Sequence, residues 1–462
     1  MRKSFLIILY LTAIGQAFGQ QTLSFADFME WVRKYHPISR QADLYLELGR
    51  KELQMARGGF DPFLYGNINE KNYQGTEYYN KREGGVSIPT IAGIEVKGLV
   101  EQNRGTYLNS ENNVPDNGLV ALGASLNLGQ GLLIDQRRAS LRQARIYASS
   151  TEEERKKTLN DLYLEATITY WNWAGAYADL QVRDEGLKLA EIRFEGIKSS
   201  FEQGDLPAID TVEAYTQVLN RAIQQQEAGN KFYARTQDLN VYLWDEAQNP
   251  FFLDSEITPE PLDSYFEGVL DIQNLRELLV QHPSLRLLDY DLDHLEIERR
   301  WKAEQLKPEV KLHYNFLTET FNGLENSGFL ENNYKFGFYF STPLLLRKER
   351  GSLGLTKIKI NRLGYEKDLR FQDFKATLEL EYNNFNVLKN QLAIYSNNIL
   401  GLEKLLEGER TKFEMGESSL FLVNARETGL LEAMLVKNSI FVKRKISFSK
   451  VRTAAGLGFE EL

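Results

Sequence analysis

The chain of 462 residues contains no cysteine, which removes disulfides, thiolate metal sites and a lipid-bearing N-terminal cysteine. Any attachment to a membrane must therefore come from the fold itself. Beyond residue 19 there is no apolar run long enough for a helical span, and mean hydropathy is −0.40. Histidine is scarce: His36, His282, His294 and His313 are the only four, and none stands at metal-ligand spacing from another. With 55 basic against 64 acidic residues the net charge is −9, so a basic footprint for nucleic acid is missing too. No Gly-x-Ser-x-Gly elbow occurs, and Gly351 to Lys357 lacks the spacing of a phosphate loop. The many carboxylates lie in helix-like stretches, where they read as solvated faces. No enzyme activity, cofactor or metal is expected.

What is present begins at the N-terminus, where Arg2 and Lys3 precede the apolar stretch Phe5 to Ile14 and the small residues Ala17 and Gly19. That order predicts a secretory signal peptide over 1–19. The remainder is two copies of one unit. His36-Pro37, Arg40, Asp43, Leu46, Glu52 and Pro62 recur 246 positions on as His282-Pro283, Arg286, Asp289, Leu292, Glu298 and Pro308. Farther along the offset is 212: Leu132, Leu133, Arg138, Ser140 and Leu141 match Leu344, Leu345, Arg350, Ser352 and Leu353, and Phe201-Glu202 with Gly204 match Phe413-Glu414 with Gly416. A repeat held in register this long sets the architecture. The two offsets differ by 34 residues, so the first copy carries an insertion of that size between about Asn67 and Gly118. The domains read as a first repeat over 20–244, an acidic linker with Pro250, Pro259 and Pro261 over 245–270, and a second repeat over 271–462.

Period-two alternation marks strands. Val310, Leu312, Tyr314 and Phe316 alternate with polar residues, and Tyr334, Phe336, Phe338 and Phe340 form an entirely aromatic face opposite Lys335, Gly337, Tyr339 and Ser341. The first copy answers with Val120, Leu122, Ala124 and Leu126, more weakly with Leu64 and Ile68, and inside the insertion with Ile94, Val96 and Val100. The aromatic face of Tyr334, Phe336, Phe338 and Phe340 is expected to meet outer-membrane lipid. Helix follows each set of strands: proline is absent between Pro115 and Pro207 and from Leu344 onward. The roughly 72 residues from Leu132 to Gln203 would extend about 108 Å, which exceeds any globular domain. One helix is expected from Ser24 to Gly58, begun by a capping box of Ser24 with Asp27, and another from Ala208 to Leu243.

This order of elements, twice over, resembles the TolC family of outer-membrane efflux proteins. The likeness is carried by the two His-Pro helices, Gly131-Leu132-Leu133 and Pro343-Leu344-Leu345 leaving the strands, the two Phe-Glu-x-Gly segments, and Gly416-Glu417-Ser418-Ser419-Leu420-Phe421. The resemblance implies an all-α dominated fold with membrane β-strands: a homotrimer whose protomers each give four strands to one 12-stranded β-barrel, continued by a long periplasmic α-helical barrel. It implies a passive exit duct in a tripartite efflux or type I secretion system. The partners would be a periplasmic adaptor (membrane fusion protein) and an inner-membrane pump of the resistance-nodulation-division or ABC type. An exported coiled-coil scaffold or adhesin is the alternative. Gly204 and Gly416 are expected at tips where paired helices reverse, with Leu206, Leu420 and Phe421 as exposed anchors for the adaptor and Glu417, Ser418 and Ser419 beside them. Asp210 and Glu213, one helical turn apart, are expected to line a periplasmic gate. The equivalent second-copy positions are Leu422 and Ala425, so an acidic ring would come from the first copy.

Overall fold

A residue that precedes proline is pushed out of the helical region, and His36 and His282 obey this with ψ of 135° and 129°. The single helix expected from Ser24 to Gly58 is therefore two. The computed structural model describes residues 22–264, 268–319 and 332–458; the leader read at 1–19 lies outside them. Strand β1 (Thr22–Leu23) leads into α1 (Phe25–Tyr35) and α2 (Pro37–Gly58). Four strands follow: β2 (Phe63–Tyr73), β3 (Thr76–Pro89), β4 (Ile94–Arg104) and β5 (Leu119–Asn127). Then come α3 (Gln136–Glu202), α4 (Ala208–Asn240), β6 (Thr258–Pro259), α5 (Ile272–Leu278) and α6 (Pro283–Glu304). The last elements are β7 (Glu309–Thr318), β8 (Tyr334–Ser341), α7 (Arg347–Glu414) and α8 (Leu420–Ala454). At 67 and 68 residues, α3 and α7 each run about 100 Å.

The chain divides into two compact units, with three of the four boundaries inside helices and the fourth at the His282-Pro283 break. One, Leu44–Arg155 with Pro283–Arg370, holds a six-stranded antiparallel sheet in the order β2-β3-β4-β5-β7-β8. Register decides what each face carries. Leu64, Val86, Gly98, Leu122, Phe316 and Tyr334 form one row across all six strands, and Ile88, Val96, Ala124, Tyr314 and Phe336 form the next. The opposite face presents rows such as Ser87, Lys97, Gly123, Asn315 and Lys335. One face carries an apolar band across all six strands and the other is largely polar; on β2, β3 and β4 the band gives way to Glu70, Arg82 and Gln102 on the same face.

Six strands correct the four expected per chain. The excess is β3 and β4, which fall inside the insertion: Pro62 and Pro308 precede β2 and β7, so β2 answers to β7 and β5 to β8. At the corner after β5, Arg138 donates through Nη1 to the Leu132 carbonyl at 3.0 Å and through Nη2 to that of Gly131, and pairs with Asp135 at 3.3 Å. Those carbonyls precede α3 in a turn that the side chain holds shut.

The other unit comprises residues up to Asp43, Lys156–His282 and the chain from Phe371 onward. Its core forms where α1, amphipathic with Phe25, Phe28, Met29 and Val32 on one stripe, meets Leu162, Ala166, Tyr170, Trp171 and Trp173 of α3. Phe28, Met29 and Val32 are fully buried, each contributing about 1.5–3 kcal/mol. Ser24 caps α1, accepting from the Asp27 amide at 3.1 Å, as the Ser24-Asp27 spacing predicts. Tyr170 donates to the Leu23 carbonyl at 2.7 Å, and burial raises its phenol above the ordinary value. The segment read as a linker is packed: β6 pairs with β1 in parallel, and Leu262 joins the core. Burial lowers both His36 and His282 to about 4, and their rings stack on Tyr242 and Phe374.

Candidate functional site

Helix reversal needs a residue that tolerates positive φ, and glycine does so without a Cβ clash. Gly204 and Gly416 have φ of +87° and +78°. Gly204 donates to the Phe201 carbonyl at 2.9 Å and Asp205 to that of Ser200 at 2.9 Å; Gly416 donates to Phe413 at 2.9 Å and Glu417 to Lys412 at 2.8 Å. Each repeat thus ends its long helix in the same Schellman motif, and α4 and α8 start four residues later.

The two tips meet. Leu206 from the first and Phe413 and Leu420 from the second pack with Phe194, Ile197 and Ala214. This corrects the expectation for Leu420: at 2% exposure it is a buried peg between tips, and Leu206 is half-buried beside it. Apolar packing takes precedence over display because the helix start turns Leu420 inward and Phe421, 67% exposed, outward. Ile209 and Val212 are the outward residues of the first tip, 67% and 59% exposed, and sequence reasoning missed them. Their signal was a three-residue spacing, overshadowed by the neighbouring acids. Ser418 donates to Glu409 at 2.5 Å, which lowers the Glu409 carboxyl below its usual range. Glu417 and Ser419 are exposed, and Ser419 takes the N-cap position of α8 without a side-chain bond.

Asp210 and Glu213 are half-buried on α4 and differ in what holds them. Glu213 accepts from Asn424 Nδ2 at 3.1 Å, and Asn424 Oδ1 accepts from Arg193 at 2.8 Å. Glu213 is therefore one end of a polar cluster that the sequence did not reveal. At its centre is Glu427, 1% exposed, paired with Arg193 from α3 and with Arg410 from α7 at 3.1 Å. Arg221 of α4 donates to Thr428 at 2.9 Å, and burial lowers its guanidinium from the ordinary value. Arg183 bridges Gln224 at 2.9 Å and Glu432 at 3.0 Å. Four helices from both repeats are cross-linked by charge just behind the tips. A buried carboxylate between two guanidinium groups is stable only while all three stay in place, so the cluster ties the tip helices to one arrangement.

The aromatic face stands open. Tyr334, Phe336, Phe338 and Phe340 are 54%, 57%, 61% and 56% exposed, and Leu64 and Ile68 on β2 are 83% and 69% exposed. No helix among the described residues is long and apolar enough to cross a membrane, and no group of three or more His, Asp or Glu among them could hold a metal ion.

A six-stranded antiparallel sheet with an apolar band on one face, together with two tandem units that each carry a helix about 100 Å long followed by a shorter one, is the fold of TolC-type outer-membrane channels. The Campylobacter jejuni CmeC outer membrane channel shares it at 14% identity and a TM-score of 0.65, over 93% of this chain and 85% of that one. The outer membrane protein VceC from Vibrio cholerae matches at 13% identity and a TM-score of 0.65, covering 94% of this chain and 96% of its own. The Neisseria gonorrhoeae MtrE outer membrane channel, solved in its open state, matches at 16% identity and a TM-score of 0.66, over 93% and 88% of the two chains. No protein-family model and no curated protein sequence matches the chain.

Proposed function

We propose that the protein is an outer-membrane efflux channel: a homotrimer forming a passive duct, with a periplasmic adaptor linking its helical tips to an energised inner-membrane pump. The observation that carries this reading is the sheet, where the rows from Leu64 to Tyr334 and from Ile88 to Phe336 make a largely exposed apolar band and the opposite rows are largely polar. Lipid covers such an apolar face, and a water-filled lumen suits the polar one. Oligomers are required because an open sheet leaves unpaired backbone groups that lipid cannot satisfy. Exposed apolar stripes on the helices fit neighbouring copies: Val212, Tyr215, Leu219 and Ile223 on α4, and Leu380, Val387 and Ile394 at seven-residue spacing on α7. The adaptor would meet Ile209 and Phe421 at the tips. Asp210, repeated by three-fold symmetry, would form a carboxylate ring favouring cations, while Glu213 serves mainly to hold Asn424.

The purified assembly in a planar bilayer should conduct, and expression should restore export in a strain lacking its own channel. An assembly with no conductance would favour an exported scaffold or adhesin. Asp210→Asn should lower cation selectivity; unchanged selectivity would leave Asp210 as a helix-start carboxylate.

A further inference from the structure

We infer that the barrel wall has eighteen strands, six from each of three copies, and that each copy pairs its β2 edge with the β8 edge of the next. This rests on the trimeric channel reading and deepens it. The insertion is not an ornament on a twelve-stranded wall. The 34 extra residues of the first copy correspond to β3 and β4, which lie between β2 and β5 where the second copy pairs β7 directly with β8.

Three observations place this hairpin in the wall. The apolar row from Leu64 to Tyr334 passes through β3 and β4 without a break, and the polar row of Ser87 and Lys97 does the same on the other face. A hairpin lying outside the wall would have no reason to keep both faces in step with it. The β3–β4 turn is seated on the strand-to-helix corner: a Cβ at Gly93, where φ is +84°, would lie 3.1 Å from Arg138 Nη2. Six is also an even number, so β2 and β8 run in opposite directions and β8 meets the next copy's β2 antiparallel, as ring closure demands. Both edges carry apolar side chains on the same face, Leu64 and Ile68 on one and Phe336 and Phe338 on the other. Joining them continues the lipid band around the ring.

Barrel diameter grows about linearly with strand number, so eighteen strands give a lumen roughly one and a half times as wide as twelve, in the range of strand numbers that leaves an aqueous channel. The outer-membrane section would then pass larger cargo than a twelve-stranded wall, and size selection would fall to the helical tips.

The chain has no cysteine, so paired cysteines report strand neighbours directly. Asn67→Cys on β2 is combined, in separate variants, with Lys335→Cys, Gly337→Cys or Tyr339→Cys on β8, all on the polar face. A further variant pairs Asn67→Cys with Ser125→Cys on β5, the positions that answer to the paired His313 and Gly337 of the second copy. Oxidation of purified assemblies, with native mass measured in parallel, should give covalent trimers from at least one β2–β8 pair and no intramolecular bond between β2 and β5. A β2–β5 disulfide within one chain, in assemblies of trimer mass, would put the hairpin outside a twelve-stranded wall and overturn the inference while leaving the channel reading intact. Trimer mass with no β2–β8 cross-link in any variant would equally overturn it. Monomer mass without conductance would remove both readings together.

Discussion

Arg138 and Arg350 occupy the same position of the two repeats, yet Arg138 is 7% exposed and Arg350 is exposed. The difference is the inserted hairpin, whose turn at Gly93 lies against Arg138; the second copy lacks the 34-residue insertion. The tips show the complementary pattern. The Schellman hydrogen bonds are the same in both copies, whereas the residues eleven past each glycine are Tyr215, half-exposed, and Glu427, buried between two arginines. Repeats keep what the backbone needs. What packs against a neighbouring element is where they diverge.

The strongest way to break this asymmetry is at Glu427. Glu427→Ala removes the buried carboxylate that pairs with both Arg193 and Arg410 and should cost about 3–5 kcal/mol, whereas Tyr215→Ala should stay within about 0.5 kcal/mol in the chain alone. Urea midpoints of the two variants decide it, and equal losses would show that the cluster contributes nothing beyond packing.

The two faces of β8 come next. Phe338→Arg should cost about 2–4 kcal/mol in lipid if that position lies near the midplane, while Tyr339→Arg, on the polar face, should be far milder. Heat dissociation of the assembled oligomer on gels reads both, and similar behaviour of the pair would remove lipid from the aromatic face.

The His-Pro breaks should respond alike to acid. His36 and His282 titrate near 4 in the folded chain because burial disfavours the cation, against about 6.5 when unfolded. At neutral pH both states carry neutral rings and nothing is lost. As pH falls from about 6.5 towards about 4 the unfolded state alone takes up the proton, so each ring withdraws up to about 3 kcal/mol of stability. His36→Phe and His282→Phe should each flatten the stability loss over that window by a similar amount, measured against the parent. A change in only one variant would mean that the two breaks are not equivalent.

Arg138 and Arg350 themselves give a smaller effect. Arg138→Ala releases two carbonyls and a carboxylate at the corner before α3 and should cost about 2 kcal/mol; Arg350→Ala should fall within about 0.5 kcal/mol. If the two substitutions cost the same, the inserted hairpin does not shield the first corner.

Much of this architecture was legible in the chain itself. The repeat, the strand alternation at Tyr334 to Phe340 and the proline-free helices were readable because periodicity and proline act locally. The helix break at His36-Pro37 was equally local and was missed only because the amphipathic pattern continues across it. The burial of Leu420 and the charge cluster around Glu427 were not legible. Arginine and glutamate on a long helix look the same whether solvated or buried, and only the approach of three other helices distinguishes them. Strand number was half legible: Ile94, Val96 and Val100 announced β4, but β3, with Glu83, Gly84 and Gly85 at its centre, shows little alternation, so the second inserted strand became visible only by pairing.

The smallest effect is also the sharpest control on the comparison, because it should be the same in both copies. Gly204 and Gly416 sit at nearly equal positive φ, and a Cβ at either would meet nothing within 4 Å. Sterics with neighbours therefore drop out, and the cost of Gly204→Ala or Gly416→Ala is the backbone's own penalty for holding an L-residue in the left-handed region, about 1–2 kcal/mol. Asparagine tolerates that region better, so Gly204→Asn and Gly416→Asn should recover part of the loss. Urea midpoints for the four variants should form two matched pairs. A larger loss at Gly416 than at Gly204, with no difference between the asparagine variants, would show that the second tip meets a surface absent from the isolated chain, and would locate that contact at the side where Glu417 and Phe421 are exposed.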